Sequence, residues 1–211
     1  MKTRKPNRLK GFDYAQDNLY FVTSCVHKMV CCFGDVIGTD RDLSCTHPPC
    51  TDISNTNLPR TDPPGNDNKN ITEPRMVLNE SGKIADRQWH WLGEQYPYIV
   101  LHEFIVMPNH IHGIIEIKRD AEMEIVRTGR YMAGRDLPLP IPKIKSLSEI
   151  IGAYKMTVSK QIHLAGYTDF SWQRSFHDHI IRDQKSYERI SNYIIKNPKT
   201  WYDDKFFNRG L

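Results

Sequence analysis

The chain has 211 residues, enough for one domain with a hydrophobic core and at most two. Its 29 Lys and Arg residues against 25 Asp and Glu give a net charge of +4, a mildly basic balance compatible with phosphate-rich partners. No stretch approaches the roughly 18 apolar residues of a membrane span, and no apolar segment of a secretory signal follows the basic N-terminus. We therefore expect one cytoplasmic domain over residues 1–211, with no membrane partner.

Residues 18–27 predict the first strand, because β-branched and aromatic residues alternate in a way typical of a strand buried on both faces. Residues 39–75 are rich in Asp, Asn, Thr and Pro and poor in apolar residues, so we expect a long surface insertion. An amphipathic helix of about three to four turns should follow from Ser81 and end at Pro97.

Residues 98–117 predict an antiparallel hairpin, since two alternating apolar runs flank Pro108 and Asn109, the composition of a tight turn. Residues 118–145 change from charged to proline-rich sequence, which disfavours both helix and strand. We expect a second surface insertion there.

The last third of the chain predicts helix, strand and helix. Ser146 or Ser148 can cap a helix to about residue 165, with Glu149 completing a capping box with Ser146. A short strand should lie within 170–182, and Asp183 should cap a final helix that ends at Pro198. The fold class is α+β: a ferredoxin-like β-α-β-β-α-β core with an antiparallel sheet and a C-terminal helix.

Five cysteines lie in the first quarter of the chain: Cys25, Cys31, Cys32, Cys45 and Cys50. Their number is odd and none is spaced as CxxC, so a disulfide framework and a four-cysteine zinc site are both disfavoured. Cys45, His47 and Cys50 could together ligate zinc, but no fourth ligand lies nearby.

His110 and His112 lie two residues apart on a predicted strand, so both side chains should point to one face. Two imidazoles on one face are half of a metal site. The alternative is one histidine in the core and one in solvent. Since Ile111 and Ile115 supply the apolar face, we expect neither histidine to be buried.

Tyr193 and Asn197 lie four residues apart on the last predicted helix, hence on one stripe of its surface. The Asn197 amide oxygen, at the end of the helix, is a ligand that hard divalent ions accept. Alternatively, Tyr193 is an amphipathic core residue and Asn197 simply ends the helix.

Three segments carry a family resemblance: IVMPNHIHGIIEI, LSEIIGAYKMTVSKQI and FSWQRSFHDHIIRDQKSYERISNYIIKNP. In this order they resemble the IS200-like single-tyrosine HUH transposases, especially the REP-associated tyrosine transposases. The resemblance covers the first strand and residues 81 to about 200, outside the two insertions. It implies that His110, His112 and Asn197 bind Mg²⁺ or Mn²⁺, and that Tyr193 is the nucleophile.

The resemblance also implies the reaction: cleavage and strand transfer of single-stranded DNA through a 5′-phosphotyrosine, as in DNA transposition. The metal is expected to act as a Lewis acid on the phosphate, because a phenol that titrates near 10 is a poor nucleophile. We expect hairpin or palindromic repeats as the DNA, and a monomer or homodimer. Two alternatives are a non-catalytic single-strand-binding module of the same fold and a metal hydrolase that releases its product.

Six residues are candidate DNA contacts: Lys155, Trp172, Gln173, Arg174, His177 and Arg182. The aromatic rings of Tyr154, Trp172 and Phe176 could stack on bases, and basic side chains, Lys160 among them, could bind phosphates. The alternative is that Trp172 and Phe176 lie in the core and these charges are ordinary solvated groups. His177 and His179 could form a second metal pair, but DNA contact or support of the site is favoured.

Overall fold

The structure, a computed structural model, describes residues 11–38, 73–118 and 144–207. The strands in these ranges are β1 Asn18–Cys25, β2 Gly34–Ile37, β3 Arg75–Leu78, β4 Ile99–Met107, β5 His110–Ile117 and β6 His177–Ile181. The α-helices are α1 Glu80–Gln95, α2 Leu147–Leu164 and α3 Gln184–Lys196, and short 3-10 helices cover His27–Met29 and Asn197–Asp203. None of the helices in these ranges has the length and hydrophobicity that a bilayer span requires.

Four strands form an antiparallel sheet in the order β4, β5, β1, β6. Along the chain these strands alternate with α1 and α2 as β-α-β-β-α-β, which is the ferredoxin-like arrangement. The predicted fold class is therefore confirmed, and α3 is the additional C-terminal helix. The predicted caps are also present, since Ser146 and Glu149 form a capping box and Asp183 accepts from the backbone N–H of Ser186.

Arg75, the last residue of the predicted insertion over 39–75, begins β3, which pairs with β2 in a two-stranded antiparallel sheet. Each strand has only four residues, and the two are far apart in sequence, so neither carries a pattern that predicts the pairing. Residues 39–72 of this predicted insertion, with Cys45, His47 and Cys50, lie outside the described residues.

The second predicted insertion has both of its ends in the described ranges. The backbone N–H of Lys118 donates to the carbonyl of Tyr98 at 2.9 Å, and that of Lys145 donates to the Tyr98 hydroxyl at 3.0 Å. One residue at the start of β4 therefore holds both ends of this connection. Residues 119–143 between them lie outside the described ranges.

The main core lies between one face of the sheet and the helices α1 and α2. Trp89 is fully buried there, with its ring stacked on Phe104 at 4.3 Å and edge-on to Tyr154 at 5.5 Å. The opposite face of the sheet is covered by α3, whose Ile190 and Ile194 pack on Ile114 of β5. Because strand side chains alternate, His110 and His112 lie on this second face, under α3.

Gly113 is the residue that lets Trp89 pack against β5. A Cβ atom at position 113 would lie 2.3 Å from the Trp89 ring. We expect Gly113→Ala to lower the free energy of unfolding by about 1–3 kcal/mol, because the buried ring has to move. Urea unfolding measures this value.

Gly152 is the matched control, since it lies within α2 and a Cβ there would meet nothing in the described ranges within 4 Å. We expect Gly152→Ala to be neutral or to stabilise by up to about 1 kcal/mol, because alanine favours the helix. Equal destabilisation by the two substitutions would contradict the packing described here.

Candidate functional site

The two histidines at the start of β5 are buried, with relative exposures of 0% and 1%. The expectation that neither would be buried is therefore wrong. The cover comes from beyond α3: the ring centroid of Phe206 lies 4.6 Å from that of His110, and the centroid of Trp201 lies 5.9 Å away. The pair thus lies inside the protein, away from solvent.

The two imidazoles converge, with His110 Nε2 only 3.0 Å from His112 Nε2. His110 Nδ1 lies 2.8 Å from Asn109 Oδ1, while the Asn109 amide nitrogen donates to the carbonyls of Met29 and Phe206. Asn109 Oδ1 is therefore the acceptor and His110 Nδ1 carries the proton. It follows that His110 Nε2 presents a lone pair towards His112.

The Thr23 hydroxyl, 2.8 Å from His112 Nδ1, can donate or accept. When it donates, His112 Nε2 carries a proton and donates to His110 Nε2. When it accepts, His112 Nδ1 carries the proton and both Nε2 lone pairs face one point. Thr23 therefore allows His112 to act either as a hydrogen-bond donor or as a metal ligand.

Burial lowers the pKa of His110 to about 3 and holds that of His112 well below its usual value. Both imidazoles are therefore neutral at pH 7, which is the form that binds metals. Two nitrogen ligands at a right angle, each about 2.1 Å from a metal ion, lie about 3.0 Å apart. The observed separation of 3.0 Å fits that geometry.

Asn197 is fully buried at the junction of α3 and the following 3-10 helix. Its Nδ2 donates to Asp204 at 3.3 Å, but its Oδ1 is buried without a hydrogen-bond partner in the described part of the chain. A buried carbonyl oxygen without a partner costs about 1–3 kcal/mol. It is also the kind of oxygen that hard divalent ions take, so the residues present fit a divalent cation.

The described residues contain no group of three His, Cys, Asp or Glu side chains placed to hold a metal ion together. A cation at the histidine pair would therefore need a ligand of another type, for which the Asn197 amide oxygen or water is suited.

Tyr193 lies beside the pair, with its hydroxyl 3.2 Å from His112 Nε2 and 38% of the residue exposed. The hydroxyl donates to Asp204 Oδ2 at 3.1 Å, and the ring meets Phe21 edge-on. Burial, then the charge of Asp204 and this hydrogen bond, raise the pKa of Tyr193 to about 12. The phenol is therefore protonated at pH 7, and it is reachable from solvent rather than enclosed in the core.

The aromatic candidates for base stacking lie in the core instead. Trp172 is 9% exposed and packs on Phe33 at 5.4 Å, and Phe176 and Tyr154 are buried as well. Because the faces of these rings are covered by other side chains, the structure supports the alternative that they belong to the core. Stacking of a base on Trp172 would require that ring to leave the core.

The polar candidates for DNA contact divide into two groups. The Lys155 ammonium donates to the backbone carbonyls of Gln173 and Arg174, so it holds that loop on α2. Arg174, His177 and Arg182, in contrast, are exposed, as are Lys160 and His179. In the sheet register His177 of β6 lies opposite Thr23 of β1, which in turn lies opposite His112 of β5. The three residues therefore form one row across three neighbouring strands.

Several residues of the site were missed by sequence reasoning: Thr23, Asn109, Asp204 and Phe206. The sequence predicts Asn109 only as a turn residue, and its hydrogen bond to His110 Nδ1 was not predicted although the two residues are adjacent. Thr23 reaches the site through strand pairing, and Asp204 and Phe206 reach it through the path of the chain after α3. No local spacing in the sequence reports such contacts.

Comparisons with known proteins find similar chains, two of which follow, and no family model matches. The chain is 27% identical over 210 residues to an uncharacterized protein of Haemophilus influenzae, covering 97% of this chain and 93% of that one. It is also similar to a solved structure of a REP-associated tyrosine transposase bound to a REP hairpin. That similarity has 15% identity and a TM-score of 0.47, over 94% of this chain and 74% of the other. The ferredoxin-like fold follows from the strand order and the order of elements along the chain.

The contact between Tyr193 and Asp204 makes the acidity of the phenol testable. We expect Asp204→Asn to lower the pKa of Tyr193, because removing a negative charge makes ionisation easier, yet to leave it above 10, because burial remains. Absorbance titration measures it, with the matching Tyr193→Phe variant subtracted to remove the other nine tyrosines.

Asp203 is the control for this titration, since it is the exposed neighbour of Asp204. Asp203→Asn should leave the titration of Tyr193 where it is in the unmodified protein. An unchanged pKa of Tyr193 in Asp204→Asn would show that the hydrogen bond is not formed in solution.

Proposed function

We propose that this protein cleaves and rejoins single-stranded DNA, with Tyr193 as the nucleophile and a divalent cation at His110 and His112. The observation that carries the proposal is the distance of 3.2 Å between the Tyr193 hydroxyl and Nε2 of His112. This Nε2 atom belongs to a pair of neutral imidazoles whose Nε2 atoms converge. A nucleophile next to a cation site is the arrangement that phosphoryl transfer needs.

Mg²⁺ or Mn²⁺ would be held by His110 Nε2, His112 Nε2 and Asn197 Oδ1. When bound, the cation would supply Lewis-acid stabilisation of the charge on the scissile phosphate. Thr23 and Asn109 would fix the imidazole orientation by accepting from the two Nδ1 atoms, and burial of the pair would strengthen its electrostatic effect.

In the reaction Tyr193 loses its hydroxyl proton as its oxygen bonds to phosphorus. The bond from phosphorus to the 3′ oxygen breaks, and that oxygen leaves as a hydroxyl after taking up a proton. The product is a 5′-phosphotyrosine and a free 3′-hydroxyl. Because one phosphodiester replaces another, a 3′-hydroxyl can attack the phosphotyrosine and restore a DNA strand without ATP.

A DNA strand would approach from the exposed side of Tyr193, since the other sides of the site are closed by the sheet and by Phe206. The half-buried ring of Phe21 lies beside Tyr193 on this side, and β6 carries His177 in the row that leads to His112. We propose that His177, Arg174 and Arg182 contact the strand, and that hairpin or palindromic repeats present it unpaired. We propose that the protein acts as a monomer or a homodimer.

The first test is formation of a covalent adduct. The protein is incubated with Mn²⁺ and a single-stranded hairpin oligonucleotide labelled at its 3′ end, and a labelled, protease-sensitive band is sought on a denaturing gel. We expect the band from the unmodified protein and none from Tyr193→Phe, because phenylalanine has no oxygen to bond to phosphorus.

Tyr202→Phe is the control, because this nearby tyrosine packs on Phe207 and should not affect the adduct. An adduct in Tyr193→Phe would contradict the assignment of the nucleophile. Cleavage without an adduct would support the metal hydrolase, and binding without cleavage would support the non-catalytic module.

The second test concerns the cation. We expect chelation by EDTA to abolish cleavage and Mn²⁺ to restore it, with DNA binding largely unchanged. His110→Ala and His112→Ala should each reduce Mn²⁺ affinity and cleavage by about 100-fold or more, since each removes a ligand. Free Mn²⁺, measured by electron paramagnetic resonance, reports the affinity.

His90→Ala is the matched control, since His90 is exposed on α1, away from the pair. Mn²⁺ affinity that is the same in all four proteins would rule out the histidine pair as the cation site.

A further inference from the structure

One carboxylate, that of Asp204, connects three parts of the site. Its Oδ2 accepts from the Tyr193 hydroxyl at 3.1 Å and from the Asn197 amide nitrogen at 3.3 Å. Its Oδ1 accepts from the backbone N–H of Phe206 at 2.8 Å, which turns the chain so that the Phe206 ring covers His110. Asp204 is thus at the junction of the nucleophile, the candidate oxygen ligand and the cover of the histidines.

The bond to Asn197 determines which end of that amide is available. A carboxylate only accepts, so it takes the NH₂ group of the amide and leaves the carbonyl oxygen on the other side. That oxygen is the one that is buried without a partner among the described residues. With the amide reversed, an NH₂ group would stand in its place, and an NH₂ group cannot bind a cation.

We propose that Asp204 is a positioning residue for the metal site, which holds the Asn197 amide with its oxygen offered to the cation. The proposal rests on the proposed function, in that it takes Asn197 as a metal ligand. Asp204 acts through Asn197 rather than as a ligand itself, because its Oδ2 accepts from Tyr193 and Asn197 and its Oδ1 accepts from the backbone N–H of Phe206. Partners that orient a metal ligand contribute about 10-fold to 100-fold to metal affinity.

The test is a double-mutant cycle on Mn²⁺ affinity, measured by electron paramagnetic resonance without DNA. We expect Asp204→Ala and Asn197→Ala each to weaken binding by about 10-fold to 100-fold. The double variant should bind no more weakly than Asn197→Ala alone, because Asp204 has nothing left to orient. A purely structural role of Asp204 would instead give losses that multiply.

Asp204→Asn is a second variant for the same measurement, and it serves if Asp204→Ala does not fold. The introduced amide has one oxygen for the Phe206 turn and presents NH₂ to Asn197, so the turn is kept while the orientation of Asn197 is lost. We expect it to weaken Mn²⁺ binding as Asp204→Ala does, with a melting temperature close to that of the unmodified protein. Asp203→Asn should change neither quantity.

Three results would overturn the proposal. Unchanged Mn²⁺ affinity in Asp204→Asn, or multiplying losses in the cycle, would do so while leaving the proposed function intact, since the unmodified protein would still bind Mn²⁺ through its histidines. Lack of Mn²⁺ binding by the unmodified protein would overturn the proposed function and this proposal together.

Discussion

The close approach of two neutral imidazoles is the constraint on which the rest of the site depends. His110 Nε2 and His112 Nε2 lie 3.0 Å apart in a buried position, and two lone pairs at that distance repel unless a proton or a cation lies between them. The Thr23 hydroxyl is compatible with both cases. It donates to His112 Nδ1 when a proton lies between the imidazoles, and it accepts from His112 Nδ1 when a cation does. The strand geometry enforces the approach, because residues two apart on β5 share one face.

Burial of this pair depends on the chain that follows α3. Asp204 turns the backbone at Phe206, the Phe206 ring lies over both imidazoles, and its carbonyl accepts from Asn109, which orients His110. The segment that excludes water from the histidines therefore also orients one of them. Tyr193, beside the pair, is 38% exposed, so this part of the site reaches the protein surface.

Local patterns predicted the framework but not the environment of the site. Alternation, turn residues and capping residues identified the four sheet strands and the three α-helices, since these signals act over a few neighbouring positions. The spacing of His110 and His112 placed both on one face for the same reason. The burial of the pair by Phe206, the role of Asp204 and the core position of Trp172 depend on contacts between distant segments, which no local spacing reports. The pairing of β2 with β3 was missed because the two short strands are far apart in sequence.

The most direct test of the account is a crystal structure of the protein grown with Mn²⁺, with anomalous diffraction used to locate the ion. We expect an anomalous peak about 2.1–2.3 Å from Nε2 of both His110 and His112 and from Oδ1 of Asn197. The Thr23 hydroxyl should then accept from His112. A map with no peak between the two imidazoles at saturating Mn²⁺, or with the ion at surface carboxylates alone, would contradict it.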